Sequence, residues 1–330
     1  MKPHLKVRVA GTGSYTPDRI LDNAYFARIV DTNDAWIIER TGIRERRISE
    51  ESQATSDLAA EAGRRALAAA GRTPDDVELI IVATSSPDRV VPGTAAYVQA
   101  KMGCFNSGAV DHIAACSGYV YALSSGWHYV AGGQVKNCLV IGAEQLTRIT
   151  NYSDRGTCIL FGDAAGALLL EPSNEGESDI LYSKLGADGR GERFITVPAG
   201  GTAMKATQER IDQKLDTIQM MGREVYKFAI TKFVELIKDV CAKIGVSTDD
   251  IDVLVPHQVN LRIIESAAQK LKIPMDKIVV NIDRYGNTSA ASIPLAMDEA
   301  VRAGRIKRGS LVVTVAFGAG LTWGSVALRW

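Results

Sequence analysis

Two passages of this chain repeat each other without a gap. Ala70-Gly71-Arg72-Thr73-Pro74-Asp75-Asp76-Val77-Glu78-Leu79-Ile80-Ile81 runs beside Ile244-Gly245-Val246-Ser247-Thr248-Asp249-Asp250-Ile251-Asp252-Val253-Leu254-Val255, at a separation of 174 residues. A second pair follows in the same order: Ala131-Gly132, Val135-Lys136 and Leu139-Val140 answer to Ala303-Gly304, Ile306-Lys307 and Leu311-Val312 at offsets near 172. One short match arises by chance in helix-to-strand loops, but two in order at nearly constant offset indicate an internal duplication. The halves are expected at 1–172 and 173–330, with the polar stretch 171–179 as the seam.

Each half alternates strand-like apolar runs with amphipathic helical patterns, the signature of a layered α/β protein. Thr55 to Ala70 repeats Ala and Leu at helical spacing and stops at Gly71, and the strand Glu78 to Thr84 follows. Glu224 to Ile244 carries Tyr226, Ile230, Phe233, Ile237, Val240, Cys241 and Ile244 on one face and stops at Gly245.

Lys plus Arg is 38 and Asp plus Glu is 38, so the chain has no global charge footprint for nucleic acid or an anionic membrane. Its longest apolar runs fall short of the roughly 18 residues that a membrane span needs. Residues 1–17 carry Lys2, Lys6 and Arg8 and break at Gly11 and Gly13, which is no signal-peptide core; a cytoplasmic location is expected. The five cysteines are odd in number and form no CxxC pair, so neither a disulfide framework nor a metal site is expected.

Extending the repeat sets Cys116 opposite Asn287 and His257 opposite Ala83, each just after a strand-like run. With the two sheets of the halves stacked back to back, strand ends from both converge on one crevice that holds a Cys, a His and an Asn. Cys116 precedes an Ala-rich helix running toward Gly132, and a thiol at a helix N-terminus is favoured as thiolate. The blander fate of a free Cys is a small buried hydrophobe, which accounts for Cys104, Cys138, Cys158 and Cys241. Of four histidines, His4, His112 and His128 sit in the terminus, a strand and a packed helix, whereas His257 lies in a polar turn between an apolar strand and the helix Leu261 to Leu271. Asn287 lies in the small-residue run Tyr285 to Ser292, where an N-cap is the alternative role. Phe317-Gly318-Ala319-Gly320-Leu321-Thr322-Trp323-Gly324 offers backbone N–H donors or only a tight turn. No GxSxG elbow is present, and Gly11-Thr12-Gly13 lacks the third glycine of a dinucleotide fingerprint.

These motifs carry a resemblance over the whole chain. Gly11-Thr12-Gly13-Ser14-Tyr15, Asp34-Ala35-Trp36-Ile37 with Arg40-Thr41-Gly42-Ile43-Arg44, Ala115-Cys116-Ser117-Gly118, Asp154-Arg155-Gly156-Thr157, Phe161-Gly162-Asp163, Pro256-His257-Gln258-Val259-Asn260, Gly286-Asn287-Thr288-Ser289-Ala290 and Phe317-Gly318-Ala319-Gly320 are similar to those of the β-ketoacyl-acyl-carrier-protein synthase III family. These are condensing enzymes of the thiolase superfamily that initiate type II fatty acid synthesis. The resemblance implies a duplicated five-layered αβαβα fold, a homodimer, and an acyl-coenzyme A primer condensed with malonyl-acyl-carrier protein, without cofactor or metal. It makes Cys116 the acylated nucleophile, His257 and Asn287 the hold on the second thioester carbonyl, and the backbone of Cys116 and Ala319 the oxyanion hole. It assigns Trp36, Arg40, Arg155 and Asn260 to coenzyme A. Phe161, Met220, Gly222, Tyr226 and Val91 fall to the acyl channel, and Lys227, Arg262 and Lys270 to docking an acidic carrier protein. Two departures stand out: Ala319 where many members carry Gly, and Val91 where some carry Phe. Within the same fold the rival is an acyltransferase acting on an alcohol or amine without decarboxylation; outside enzymology it is a non-catalytic partner subunit, which Cys116 argues against.

Overall fold

The computed structural model describes residues 4–174 and 179–330, so part of the polar seam, residues 175–178, lies outside the described residues. Among the described residues, nine strands build two mixed sheets. The first contains β1 (Val7–Tyr15), β2 (Leu79–Ala83), β3 (Gly108–His112), β4 (Cys138–Gln145) and β5 (Asp163–Pro172), in the order β1-β5-β4-β2-β3. The second contains β6 (Asp179–Ala187), β7 (Val253–Pro256), β8 (Leu311–Gly318) and β9 (Thr322–Arg329), in the order β6-β9-β8-β7. The directions repeat as well: β2 runs parallel to β4 as β7 does to β8, and β5 lies antiparallel between its neighbours as β9 does. The counterpart of β3 is reduced to a single parallel bridge between Leu254 and Ile278.

Six principal helices cover these sheets: α1 (Thr55–Ala70), α2 (Thr94–Met102), α3 (Gly118–Ala131), α4 (Gly222–Ile244), α5 (Leu261–Leu271) and α6 (Ser292–Arg302). Local chemistry sets their ends. Asp57 accepts the Ala54 N–H at the start of α1, while Gly71 and Gly245 close α1 and α4 at φ of 64° and 73°, a left-handed conformation that costs glycine little. Leu58, Leu67 and Val98 of α1 and α2 pack on Ile80, Leu139 and Ile141 of the first sheet. Phe233, Ile237 and Ile264 of α4 and α5 pack on Leu254, Val313 and Val315 of the second. Between the sheets, Tyr119, Val120 and Leu123 of α3 join Ala296 and Met297 of α6 in one core with Val140, Leu168, Val312 and Val326.

The architecture is therefore α/β/α/β/α. The expectation of sheets stacked back to back needs correcting, because the α3/α6 layer stands between them; strands β4, β5 up to Glu171, β7 and β8 are buried on both faces, and the inner face of each sheet is met by helices. That inner layer positions the site, since α3 and α6 both begin at the same end of the sheets, where β2, β4, β7 and β8 terminate. Among the described residues no helix is long and apolar enough to cross a membrane.

Candidate active site

Each inner helix is entered through the same turn. Ala115–Ser117 precedes Gly118, and Ser289–Ala291 precedes Ser292, with Ala115 and Ser289 both at a φ of 46°, rare for residues with a side chain. The structural counterpart of Cys116 is thus Ala290, and Asn287 lies three residues earlier. The separation is 174 residues at the turns and again in the strands, where Val312 pairs with Val253 as Cys138 pairs with Leu79; the smaller offset is confined to the ends of the inner helices and the loops after them, α3 having 14 residues and α6 11. An offset taken from those loops shifts the match. The pairing of His257 with Ala83 holds, since β2 and β7 start 174 residues apart.

Cys116, His257 and Asn287 line one cavity of about 440 Å³, together with Ser85, Ser289 and Ala319. Glycines admit the close packing beneath it. A Cβ on Gly318 would lie 2.7 Å from the Cys116 nitrogen, and one on Gly142 would overlap the Ala290 carbonyl, so β8 and β4 press directly on the two turns. Ala319 keeps a negative φ, and the positive value, 134°, falls on Gly320, so an alanine at 319 in place of glycine carries no conformational penalty. The Thr322 hydroxyl lies 3.0 Å from the Ala114 carbonyl and 2.8 Å from that of Ala319, tying this loop to the Cys116 turn.

Cys116 faces the cavity and is otherwise enclosed. Burial, with the Glu144 carboxylate nearby, pushes its thiol up to about 11 against the hydrogen bond from Ser289. The expected preference for thiolate at the helix N-terminus is therefore outweighed in the resting site. Glu144, at the end of β4, is itself buried; desolvation raises it to about 7 although the Ser85 N–H and the Ser86 hydroxyl bond to it.

His257 continues β7, its N–H bonding to the Val315 carbonyl at 2.8 Å. Its ring is buried, Nδ1 lies 2.8 Å from Ser292 Oγ, and Nε2 has no hydrogen-bond partner among the described residues. Desolvation lowers it to about 3, so the imidazole is neutral throughout the working pH range. The Asn287 backbone is held by Leu160 and Gly162, and its Oδ1 accepts the Ser289 N–H at 2.8 Å. An N–H only donates, so this bond fixes the amide orientation and leaves Nδ2 as the group presented to the cavity. A neutral imidazole and an amide donor beside a thiol are equipped to receive negative charge on an oxygen.

Other expected residues divide among neighbouring surfaces. Phe161 and Met220 line the cavity, with Ile195, Ile218, Val225 and Phe228. Gly222 and Tyr226 line instead a second pocket of about 520 Å³ with Arg40, Lys227, Asn260 and Arg262, while Val225 and Phe228 are the residues of α4 that reach the cavity. Val91 is 80% exposed and outside the cavity wall of its own chain, beside Val90 in a surface loop. Lys270 is exposed in the last turn of α5, about two turns beyond Arg262. The guanidinium carbons of Arg40 and Arg155 lie 4.8 and 5.0 Å from the Trp36 ring centroid. Asn260 caps α5 through the Arg262 N–H and also donates to the Arg40 carbonyl. Glu144, Ser289, Ser292 and Thr322 were not singled out from the sequence, although both serines sit in the small-residue run around Asn287.

Residues 110–189 match the family described as 3-oxoacyl-[acyl-carrier-protein (ACP)] synthase III, and residues 241–330 match its C-terminal part. The β-ketoacyl-[acyl-carrier-protein] synthase III of Caldanaerobacter subterraneus subsp. tengcongensis is 50% identical over 322 residues, covering 98% of this chain and 97% of that one. The protein of the same description from Clostridioides difficile is 49% identical over 325 residues, 98% of each chain. The crystal structure of 3-oxoacyl-[acyl-carrier-protein] synthase III from Aquifex aeolicus VF5 superposes with a TM-score of 0.90 at 42% identity, covering 98% of this chain and 100% of that one. Identity at this level over nearly the full length, on the same architecture, means that the chain belongs to the 3-oxoacyl-[acyl-carrier-protein] synthase III family of thiolase-fold condensing enzymes.

Proposed function

We propose that this β-ketoacyl-acyl-carrier-protein synthase III, an acyltransferase that carries out the initiating condensation of type II fatty acid synthesis, works through Cys116, His257 and Asn287. The Cys116 sulfur attacks the carbonyl of an acyl-coenzyme A primer, acetyl or similar. The oxyanion is held by the backbone N–H groups of Cys116 and Ala319, and coenzyme A leaves as the thiol, carrying the proton that Cys116 gave up. Malonyl-carrier protein then enters. Its carboxylate leaves as carbon dioxide, and the electron pair of the broken bond forms an enolate whose oxygen is held by His257 Nε2–H and Asn287 Nδ2–H. The carbanion attacks the acyl carbon, the bond to Cys116 breaks with the electron pair leaving on sulfur as thiolate, which takes a proton from water to restore the thiol, and a 3-oxoacyl-carrier protein two carbons longer is released.

One observation carries this reading: an uncharged, buried His257 and an orientation-locked Asn287 share a cavity with the thiol. The alcohol or amine acyltransferase needs a base for the acceptor's proton, and an imidazole held near 3 is a poor one. Incubation with acyl-coenzyme A and malonyl-carrier protein should release one carbon dioxide per 3-oxoacyl product. Acyl transfer to an acceptor with no carbon dioxide would establish the rival.

Trp36, flanked by two guanidiniums, suits a stacked adenine, and Arg40 in the second pocket suits phosphate. The apolar wall around Phe161 and Met220 suits the acyl chain. Lys227 and Arg262, with Lys270 further along α5, give a chain of zero net charge a local basic face for an acidic carrier protein. Arg262→Glu should raise the KM for malonyl-carrier protein several-fold, and the wild-type interaction should weaken with added salt. An unchanged KM in a normally folded variant would move the docking face elsewhere.

The edge strand β3 is exposed along its first three residues, and Val90, Val91, Phe105 and Ile113 beside it are 75% exposed or more. Such an apolar edge fits pairing with a second copy, the homodimer, which would carry Val91 to the partner's acyl channel. Light scattering should give twice the 35.5 kDa chain mass; a monomer would take Val91 out of the channel altogether. Substrates of these kinds place the reaction in the cytoplasm.

A further inference from the structure

Among the described residues the His257 ring makes one side-chain hydrogen bond, beside its edge contact with Phe317, and that hydrogen bond has two possible proton arrangements. Ser292 Oγ lies 2.8 Å from His257 Nδ1 and 2.8 Å from the Ser289 carbonyl oxygen. A hydroxyl has one proton to give. If it goes to the carbonyl, Nδ1 must carry hydrogen and donate to Oγ, and Nε2 faces the cavity as a bare lone pair. If it goes to Nδ1, the hydrogen sits on Nε2 and faces the cavity as a donor.

The surroundings favour the second arrangement. The Ser289 carbonyl already accepts the backbone N–H of Ser292, so it is satisfied without the hydroxyl. Ser292 is 1% exposed and is the first residue of α6, in the layer packed between the sheets, so its Oγ is fixed relative to the ring. The duplication bears on this independently. The counterparts of His257 and Ser292 in the first half are Ala83 and Gly118, and a Cβ on Gly118 would lie 3.4 Å from that of Ala83. The framework brings these two positions into contact in both halves, and in the half that supplies His257 they are a hydrogen-bonding pair.

We infer that Ser292 is a positioning residue whose hydroxyl donates to Nδ1 and holds His257 as the Nε2–H tautomer, the form that can hydrogen-bond the enolate oxygen. This rests on the decarboxylative reading above. The histidine neither gains nor loses a net proton; Ser292 decides which ring nitrogen carries the one it has.

The test uses the full-length enzyme with ¹⁵N-labelled histidine. In the wild type, the nitrogen shifts of His257 should report hydrogen on Nε2, a reading that needs neither a variant nor a substrate. In Ser292→Ala the two tautomers should mix. Decarboxylative condensation should then fall roughly tenfold or more, as for other groups that orient a histidine. Acylation of Cys116 by acetyl-coenzyme A should stay within about twofold, since it uses the backbone oxyanion hole. Ser292→Thr, which keeps the hydroxyl, should restore condensation. Hydrogen on Nδ1 in the wild type would overturn the inference, and so would a Ser292→Ala enzyme that kept its tautomer and its condensation rate or lost both half-reactions alike. Failure of the decarboxylative reading shows separately, as a wild-type enzyme that releases no carbon dioxide.

Discussion

Cys116→Ala is expected to abolish transfer from acyl-coenzyme A, while Cys104→Ala and Cys241→Ala leave it nearly intact. All five cysteines are unpaired, but Cys104, Cys138, Cys158 and Cys241 are buried in the cores, whereas Cys116 opens onto the cavity. The alanine variant keeps the turn and its N–H groups but has no sulfur to form the new thioester, so the loss should reach the background rate. Because burial holds the thiol near 11, alkylation of the free enzyme by iodoacetamide should rise about tenfold per pH unit from neutral upward, following the thiolate fraction. A plateau already reached below pH 8 would mean that the helix N-terminus outweighs burial after all. Release of coenzyme A by Cys116→Ala at the wild-type rate would remove the cysteine from the mechanism.

The second large effect is a split between half-reactions. His257→Ala and Asn287→Ala each remove one donor to the enolate oxygen while leaving Cys116 and the backbone oxyanion hole in place. Condensation should fall on the order of a hundredfold, about 2.7 kcal/mol of transition-state stabilisation, and acylation much less. The reason is geometric: Asn287 spends its Oδ1 on the Ser289 N–H, and His257 its Nδ1 on Ser292, so each has one nitrogen left for the cavity. If rapid-quench measurements showed both half-reactions falling equally in His257→Ala, the imidazole would be acting as the base for the thiol, and the division of roles would be wrong.

The frame of the molecule was legible because its signals are local. Gly71 and Gly245 mark helix ends through a left-handed conformation that costs glycine little, and the repeated Asp-Asp turn leads each time into a strand. The convergence of Cys116 and His257 was legible because each follows a strand in a duplicated unit, whereas Asn287 follows the short helix Ile282–Tyr285 and bridges to Phe161. What was not legible had non-local causes. Asn287 was matched to Cys116 rather than three residues ahead of its counterpart, since the offset changes where α6 is shorter than α3. Glu144 reads as one polar residue near the end of an apolar strand, and only the packing of β4 on the Ser289 turn reveals what it faces. Tyr226 sits on the apolar stripe of α4, but Val225 and Phe228 are the residues of that helix that line the cavity, and Tyr226 lines the second pocket. Val91 lies outside the walls of its own chain's cavity, a relation that no periodicity encodes.

The central claim is that one acyl group is held on Cys116 and passed on by condensation. Incubating the full-length enzyme with isotopically labelled acetyl-coenzyme A, digesting it and weighing the peptides tests this most directly. The peptide containing Cys116 should gain one acetyl group, and a chase with malonyl-carrier protein should clear it while the label appears in a 3-oxoacyl-carrier protein. An adduct on any other residue, or one on Cys116 that survives the chase, would contradict the account.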